Sequence, residues 1–412
     1  MMRLLYSIGI WLYGAAVTLA SIWNVRAKKL LHGWRSVWDV LPKRIDNDSV
    51  AWFHASSLGE FEQARPVIEQ YKKRYPNVFI VLTFFSPSGY DVRKNYGMAD
   101  VVSYLPLDTP HHARRFVEAL HPQVAFFVKY DFWFNFLHYL NKNQVPTYLF
   151  SAIFRKNQYF FHSYGHWFCK QLRKYDHIFV QNEESVFLLQ QHGVSSVSMA
   201  GDTRFDRVYQ IAHAAETDDV VERFKANDEI VVAGSTWPED EMLLQSFMQR
   251  HQDVRMVIAP HMIGEEHLQD IERLFSLEQT VRYTQVGKQQ TTMTGCRVLI
   301  VDCIGRLSSM YRYAKVAYVG GGFGKGIHNI LEVSANGAPV CFGPNYHKFQ
   351  EAVDLKNQGG AWSVENDAEL DNVLTDLLDN DEKWCRASSV CLEYMKSHLG
   401  ATDVILSHVC GW

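Results

Sequence analysis

The stretch VGGGFGKGIHNILE, Val319 to Glu332, runs from the end of an apolar strand through a glycine-rich turn into the start of a helix. Gly320, Gly321, Gly322 and Gly324 let the backbone turn with few side chains in the way. The spacing predicts a helix that begins near His328, with its first N–H groups facing a phosphate. Asn329 and Glu332 fall in its first turn, from which a carboxylate can reach a ribose hydroxyl pair. The run points to a nucleotide-linked substrate. It matches neither common phosphate loop. No register of Gly320 to Gly326 gives G-x-G-x-x-G, and Lys325 is followed by Gly326, which breaks GxxxxGK[ST]. A purely structural strand-to-helix turn is the alternative reading.

Working outward, short apolar runs alternate with amphipathic stretches, the pattern of parallel sheets covered by helices. VAWFHA (50–55), VFIVLTFF (78–85), VVSYLPL (101–107), VAFFVKY (124–130), PTYLFSA (146–152) and HIFVQ (177–181) read as one series of buried strands. EIVVAGS (229–235), VRMVIAP (254–260), RVLIVD (297–302), VAYVGG (316–321) and APVCFG (338–343) read as a second. The polar, helix-prone stretch between them gives an organisation of residues 1–25 as a membrane segment, 26–205 as a first domain and 206–228 as a connection. A second domain then covers 229–395, and a C-terminal helix, 396–412, is free to pack back on the first domain. The fold class is α/β, with two doubly wound domains. Ligands in such sheets bind beyond the carboxyl ends of the strands, here in the cleft between the domains.

The bulk properties fit: 412 residues exceed one ordinary core, and 47% hydrophobic content is ample for two. A formal net charge of -4 argues against a general nucleic-acid binder. The seven cysteines, at 169, 296, 303, 341, 385, 391 and 410, show no CxxC or CxxH spacing and read as reduced thiols. No metal cluster is evident.

Leu4 to Trp23 carries no charge and is long enough to cross a bilayer. Arg26, Lys28, Lys29 and Arg35 follow it, which places the rest of the chain on the cytoplasmic side and argues against a cleaved signal peptide. Ser7, Gly9, Gly14, Thr18 and Ser21 weaken the apolar run, so a helix lying in the membrane interface competes with a spanning one. Lys43 and Arg44 extend the basic flank, which suits anionic headgroups or acceptor phosphates and equally a merely solvated surface.

The first strand ends in HASSLGE (54–60), where Ser56, Ser57 and Gly59 allow a ligand close to the backbone. Glu60, at a helix start, has the position of a general base toward an acceptor hydroxyl and also that of an ordinary stabilising N-terminal Glu. In the second series Ser235 and Thr236 are plausible helix caps or phosphate contacts, and Pro260 and His261 end the next strand at the same face.

With HASSLGE, the Asp131-Phe132-Trp133 turn, AGSTWPEDE (233–241) and the glycine run in this order, the chain resembles the 3-deoxy-D-manno-octulosonic acid (Kdo) transferases of lipid A biosynthesis. The resemblance covers nearly the whole chain and extends to FVQNEES (179–185) and GDTRFD (201–206). It implies the GT-B glycosyltransferase architecture of two Rossmann-like domains. The acceptor would be bound by the first domain through Ser56, Ser57 and Gly59, and CMP-Kdo by the second. Ser235, Thr236, Pro260, His261, Gly321, Gly322, Gly324, His328, Asn329 and Glu332 would hold the CMP-sugar. It further implies an inverting transfer of Kdo to a lipid A precursor at the cytoplasmic face of the inner membrane, with Glu60 as base, no cofactor and no divalent metal.

Four departures from the family pattern stand out. Lys129-Tyr130-Asp131-Phe132-Trp133 replaces an acidic residue followed by x-E-L-W, which leaves Asp131 as the second carboxylate and reverses a charge at Lys129. Arg306 replaces a Glu, Ala259-Pro260-His261 stands where P-R-H is common, and Ile327 replaces a glycine. Rival readings are a UDP-sugar transferase or a nucleotide-sugar epimerase on the same scaffold, and a membrane-anchored binding protein without turnover. A nicotinamide-dependent enzyme is disfavoured, because neither series opens with G-x-G-x-x-G.

Overall fold

The computed structural model of the chain describes residues 1–41, 49–214, 216–276, 279–287 and 293–409, so that Lys43, Arg44 and Cys410 lie outside the described residues. The chain forms two compact units, one of residues 1–207 with 399–412 and one of residues 208–398, the boundary falling inside the helix Thr203–Ala214.

The first unit holds seven strands: β1 (Val50–Ala55), β2 (Phe79–Phe84), β3 (Val101–Tyr104), β4 (Val124–Val128), β5 (Thr147–Ala152), β6 (His177–Val180) and β7 (Val197–Met199). They run parallel in the order β3-β2-β1-β4-β5-β6-β7. Every residue of β1 is buried, because its alternate side chains enter two different cores. Val50 and Trp52 join Phe116, Phe127 and Phe136 on one face, while Ala51, Phe53 and Ala55 join Phe61, Tyr71 and Phe126 on the other. A strand covered on both faces reads as a continuous apolar run, which is why VAWFHA is legible.

The helices of this unit that matter below are α1 (Met2–Ala20), α2 (Val25–Val40), α3 (Leu58–Arg74), α4 (Pro87–Arg93), α5 (Pro110–Leu120), α6 (Phe134–Lys142), α7 (His166–Leu172) and α8 (Glu183–Gln191). The helix Ala401–His408 also belongs to it. Asp206 accepts from the Gly400 and Thr402 N–H groups, both at 2.7 Å, and Arg74 donates to the Leu406 carbonyl at 2.8 Å.

The second unit has β8 (Ile230–Thr236), β9 (Arg255–Pro260), β10 (Thr280–Arg282), β11 (Val298–Ile300), β12 (Ala314–Val319), β13 (Val340–Phe342) and β14 (Ala361–Ser363). These are parallel in the order β10-β11-β9-β8-β12-β13-β14. The expected α/β class and its two doubly wound sheets are present, and all eleven strands read from the sequence form. The three not foreseen, β7, β10 and β14, are three-residue strands at sheet edges.

α1 is a helix laid on the first unit rather than one standing free of it. Ser7, Gly14 and Val17 are buried on one face, while Leu4, Leu5, Ile8, Trp11, Leu12 and Leu19 are exposed on the rest. Two of the small residues that weaken the apolar run, Ser7 and Gly14, thus form the contact. A Cβ on Gly14 would stand 2.6 Å from the Leu107 side-chain methyl, so a larger residue would require Leu107 to move. The buried Asp108 fastens the helix end. It accepts from Tyr6 Oη at 2.6 Å and caps α6 through the N–H groups of Asn135 (3.1 Å) and Phe136 (3.0 Å). By length and apolar composition α1 could cross a membrane.

Candidate active site

In the first unit, β1 delivers His54 and Ser56 at its carboxyl end, and α3 starts two residues later with Ser57 as its N-cap. Asp131, in the turn after β4, accepts from the Ser56 N–H at 3.1 Å and from the Ser56 hydroxyl. Glu60 lies half-buried in the first turn of α3 and accepts from the Ser57 hydroxyl. The expected first-unit residues therefore come together. Gly59 is exposed beside them, and a Cβ there would meet only the Ser57 hydroxyl, at 3.7 Å, so its surface stays open to an incoming group.

The electrostatics of this cluster follow from burial. His54 is enclosed and hydrogen-bonded to Thr83 (2.8 Å), and loss of solvent pushes its pKa down to about 3, so the ring is neutral. Burial pushes the Asp131 carboxyl well above the usual range, and the nearby Glu60 charge pushes it further. Trp133 rests against Phe85 (4.7 Å between centroids) and His54 (5.8 Å), walling the cluster on one side.

In the second unit the carboxyl ends of β8, β9 and β12 meet. Ser235 is left out of the pairing between β8 and β9 by a bulge and has φ of 54°, a left-handed conformation unusual for serine. Such bulges and strained residues concentrate at functional sites, where they re-aim a side chain. Trp237, His261 and His328 form a continuous stack, with centroids 4.7 and 4.4 Å apart, and Trp237 Nε1 donates to His328 Nε2 at 3.2 Å. His328 is held below the usual histidine range by burial and by His261.

Three details differ from the sequence expectation. The helix after the glycine run starts at Leu331, not near His328, because the Asn329 side chain caps the Leu331 N–H at 3.1 Å and the backbone before it stays irregular. The Gly321 N–H does not wait for a phosphate. It donates to the buried Asp240 at 3.0 Å, which also takes the Tyr318 hydroxyl (2.7 Å) and the Trp237 N–H (2.9 Å). Thr236 is turned inward and donates to Glu241 at 2.9 Å, so its hydroxyl braces the site from behind.

The glycines answer first to packing. A Cβ on Gly320 would lie 2.4 Å from the Ser235 carbonyl, and one on Gly322 2.6 Å from the Gly343 backbone. Gly324, His261 and Asn329 are exposed, Ser235, His328 and Glu332 half-buried, and Pro260, Gly321 and Gly322 buried. Glu332 is engaged by Asn329 (3.0 Å) and by the Ser308 hydroxyl. Asp240 and Trp237 were missed by sequence reasoning, since an acidic helix start and one tryptophan carry no signal of a partner 81 or 91 residues away. Among the described residues no cluster of metal-ligating side chains occurs.

Two parallel seven-stranded sheets, each with helices, have the GT-B architecture. The same architecture recurs in the solved UDP-GlcNAc 2-epimerase from Neisseria meningitidis, with a TM-score of 0.61 at 14% identity over 87% of this chain and 98% of that one. A Listeria monocytogenes protein described as a putative UDP-N-acetylglucosamine 2-epimerase aligns with a TM-score of 0.60 at 12% identity over 87% of this chain and 95% of that one. These likenesses concern the fold. In sequence the chain is similar to the Kdo transferases. Residues 32–207 match the family described as 3-deoxy-D-manno-octulosonic-acid transferase (kdotransferase). The Kdo transferase of Aquifex aeolicus is 28% identical over 79% of this chain and 85% of its own length. That of Haemophilus influenzae is 24% identical over 86% of this chain and 85% of its own.

Proposed function

We propose that the chain transfers Kdo from CMP-Kdo to a hydroxyl of a lipid A precursor, with inversion, at the cytoplasmic face of the inner membrane. The observation that carries the reading is the carboxyl pair at the end of β1. Burial holds the Asp131 carboxyl well above the usual range, and half-buried Glu60 stands beside it at the open start of α3, where it can face an acceptor hydroxyl. Glu60 takes the proton of the acceptor hydroxyl as that oxygen bonds to the anomeric carbon. The bond from that carbon to the CMP phosphate oxygen breaks, and CMP departs with the electron pair. In the second unit Ser235, His261, His328, Asn329 and Glu332 hold the nucleotide, and Asp240 fixes the glycine turn that shapes their surroundings. The exposed apolar face of α1 supports attachment to the membrane that carries the acylated acceptor.

The test supplies detergent-solubilised protein with CMP-Kdo generated in situ and a tetra-acylated precursor, and weighs the acceptor by mass spectrometry. The parent should add one or more Kdo units, and Glu60→Gln should slow transfer by about a hundredfold or more, as expected for loss of a positioned base. Equal rates in parent and variant would remove Glu60 from this role.

A further inference from the structure

α7 carries Lys170 near its end, with Arg173 and Lys174 just beyond, and these groups face two flanks. On one flank lies a cavity of about 590 Å³ with Phe160 and Phe161 in its wall and His162, His166, Lys170 and Arg173 around it. Among the described residues no acidic side chain lines it. Arg173 is placed rather than loose. Its Nη2 donates to the His192 carbonyl at 3.1 Å, and it lies across Gly193, where a Cβ would stand 2.4 Å from the same nitrogen. Gly193 has φ of 75°, so the turn after α8 both needs glycine and uses its missing side chain to seat the guanidinium. One carbonyl satisfies only part of the planar five-donor fork, and the remaining N–H groups suit the oxygens of a phosphate.

The other flank adds positive charge. Lys174 lies within electrostatic reach of Arg3 on α1, and both act with Lys142 on His138 of α6, whose pKa burial and these cations push down to about 4, so the positive charge here is that of Arg3, Lys142 and Lys174. Like charges gathered in this way are unfavourable until an anion offsets them. The source of that anion follows from α7's neighbour. Trp167 touches Tyr6 of α1 (6.1 Å between centroids), and α1 turns an apolar face outward. An amphiphile against α1 would bring its headgroup to this edge.

We propose that the cavity beside α7 binds the phosphate of an acidic membrane lipid, separately from the carboxyl pair at β1. The proposal does not depend on which reaction that pair serves. It is tested by flotation of the full chain with phosphatidylcholine vesicles and with the same vesicles containing phosphatidic acid. Lys170→Ala/Arg173→Ala should lose about tenfold or more in affinity for the acidic vesicles, at roughly 1 kcal/mol per basic group. Its binding to neutral vesicles and its melting temperature should stay as in the parent, because both side chains are exposed. Arg173→Lys keeps the charge and loses the fork, so it should lose several-fold as well. If the double variant floats like the parent, the site is overturned. If only the double variant weakens and Arg173→Lys does not, diffuse charge accounts for binding and a built site is again overturned. Inorganic phosphate, titrated in parallel, separates the sources. Binding of free phosphate with no gain from phosphatidic acid would reject the lipid assignment.

Discussion

Asp108 and His54 are buried in the same unit, and burial moves them in opposite senses. Asp108 rises to about 7 despite three donors, so the folded chain binds a proton between about pH 4 and 7 that the unfolded chain does not. Its contribution therefore grows on acidification and is lost as pH rises through 7. His54, lowered to about 3, stays neutral while the unfolded imidazole charges below its ordinary value of 6.5, so its contribution falls on acidification. The two offset each other from about pH 6.5 down to 4. Asp108→Asn should remove one side of that balance, and melting temperatures taken from pH 7.5 to 5 should fall more steeply in the variant than in the parent. Parallel curves would mean that Asp108 does not titrate in this window. Legibility at this level was uneven. HASSLGE and the Asp131 turn stood out because small residues and a carboxylate follow an apolar run. Asp108 follows one too, in VVSYLPLDTP, but its three partners come from α1 and α6, and nothing in the local run announces them.

Among the elements, the central strands and the edge strand β3 were readable, and the other three edge strands were not. β1, β4 and β8 are buried on both faces and spell apolar runs, whereas β7, β10 and β14 are short and half-covered, so partner strands rather than composition make them strands. The glycine run was read as the mouth of a helix, and the helix proved to be four residues long, starting at Leu331. Its glycines are required because two backbones meet there, a reason that depends on contacts far along the chain. α1 was readable as an apolar helix but not as one with a packed side, since Ser7 and Gly14 differ little in the sequence from Gly9, for which a Cβ would meet nothing. If its outer face enters the headgroup layer, Leu5→Glu/Leu12→Glu should detach the chain from neutral vesicles while leaving the melting temperature unchanged, because both positions are exposed. Unchanged flotation would place the membrane contact elsewhere.

Each unit has its own core, so unfolding need not be a single transition. CMP bound by the second unit should raise the midpoint of that unit's transition alone, by an amount that grows with the logarithm of ligand concentration, and UDP should not. A shift with UDP instead would favour the epimerase-like reading that the fold by itself leaves open. The fastening of α1 bears on how a water-soluble form of this protein should be made. Cutting away the first twenty residues would strip Asp108 of the Tyr6 hydroxyl and uncover Leu107 and Trp34, exchanging one sticky surface for another with a buried carboxyl left short of a donor. Repainting the outward residues of α1 with polar side chains keeps the clasp and removes only the grease. The trimmed form should aggregate on concentration, and the repainted one should stay monodisperse in light scattering without detergent.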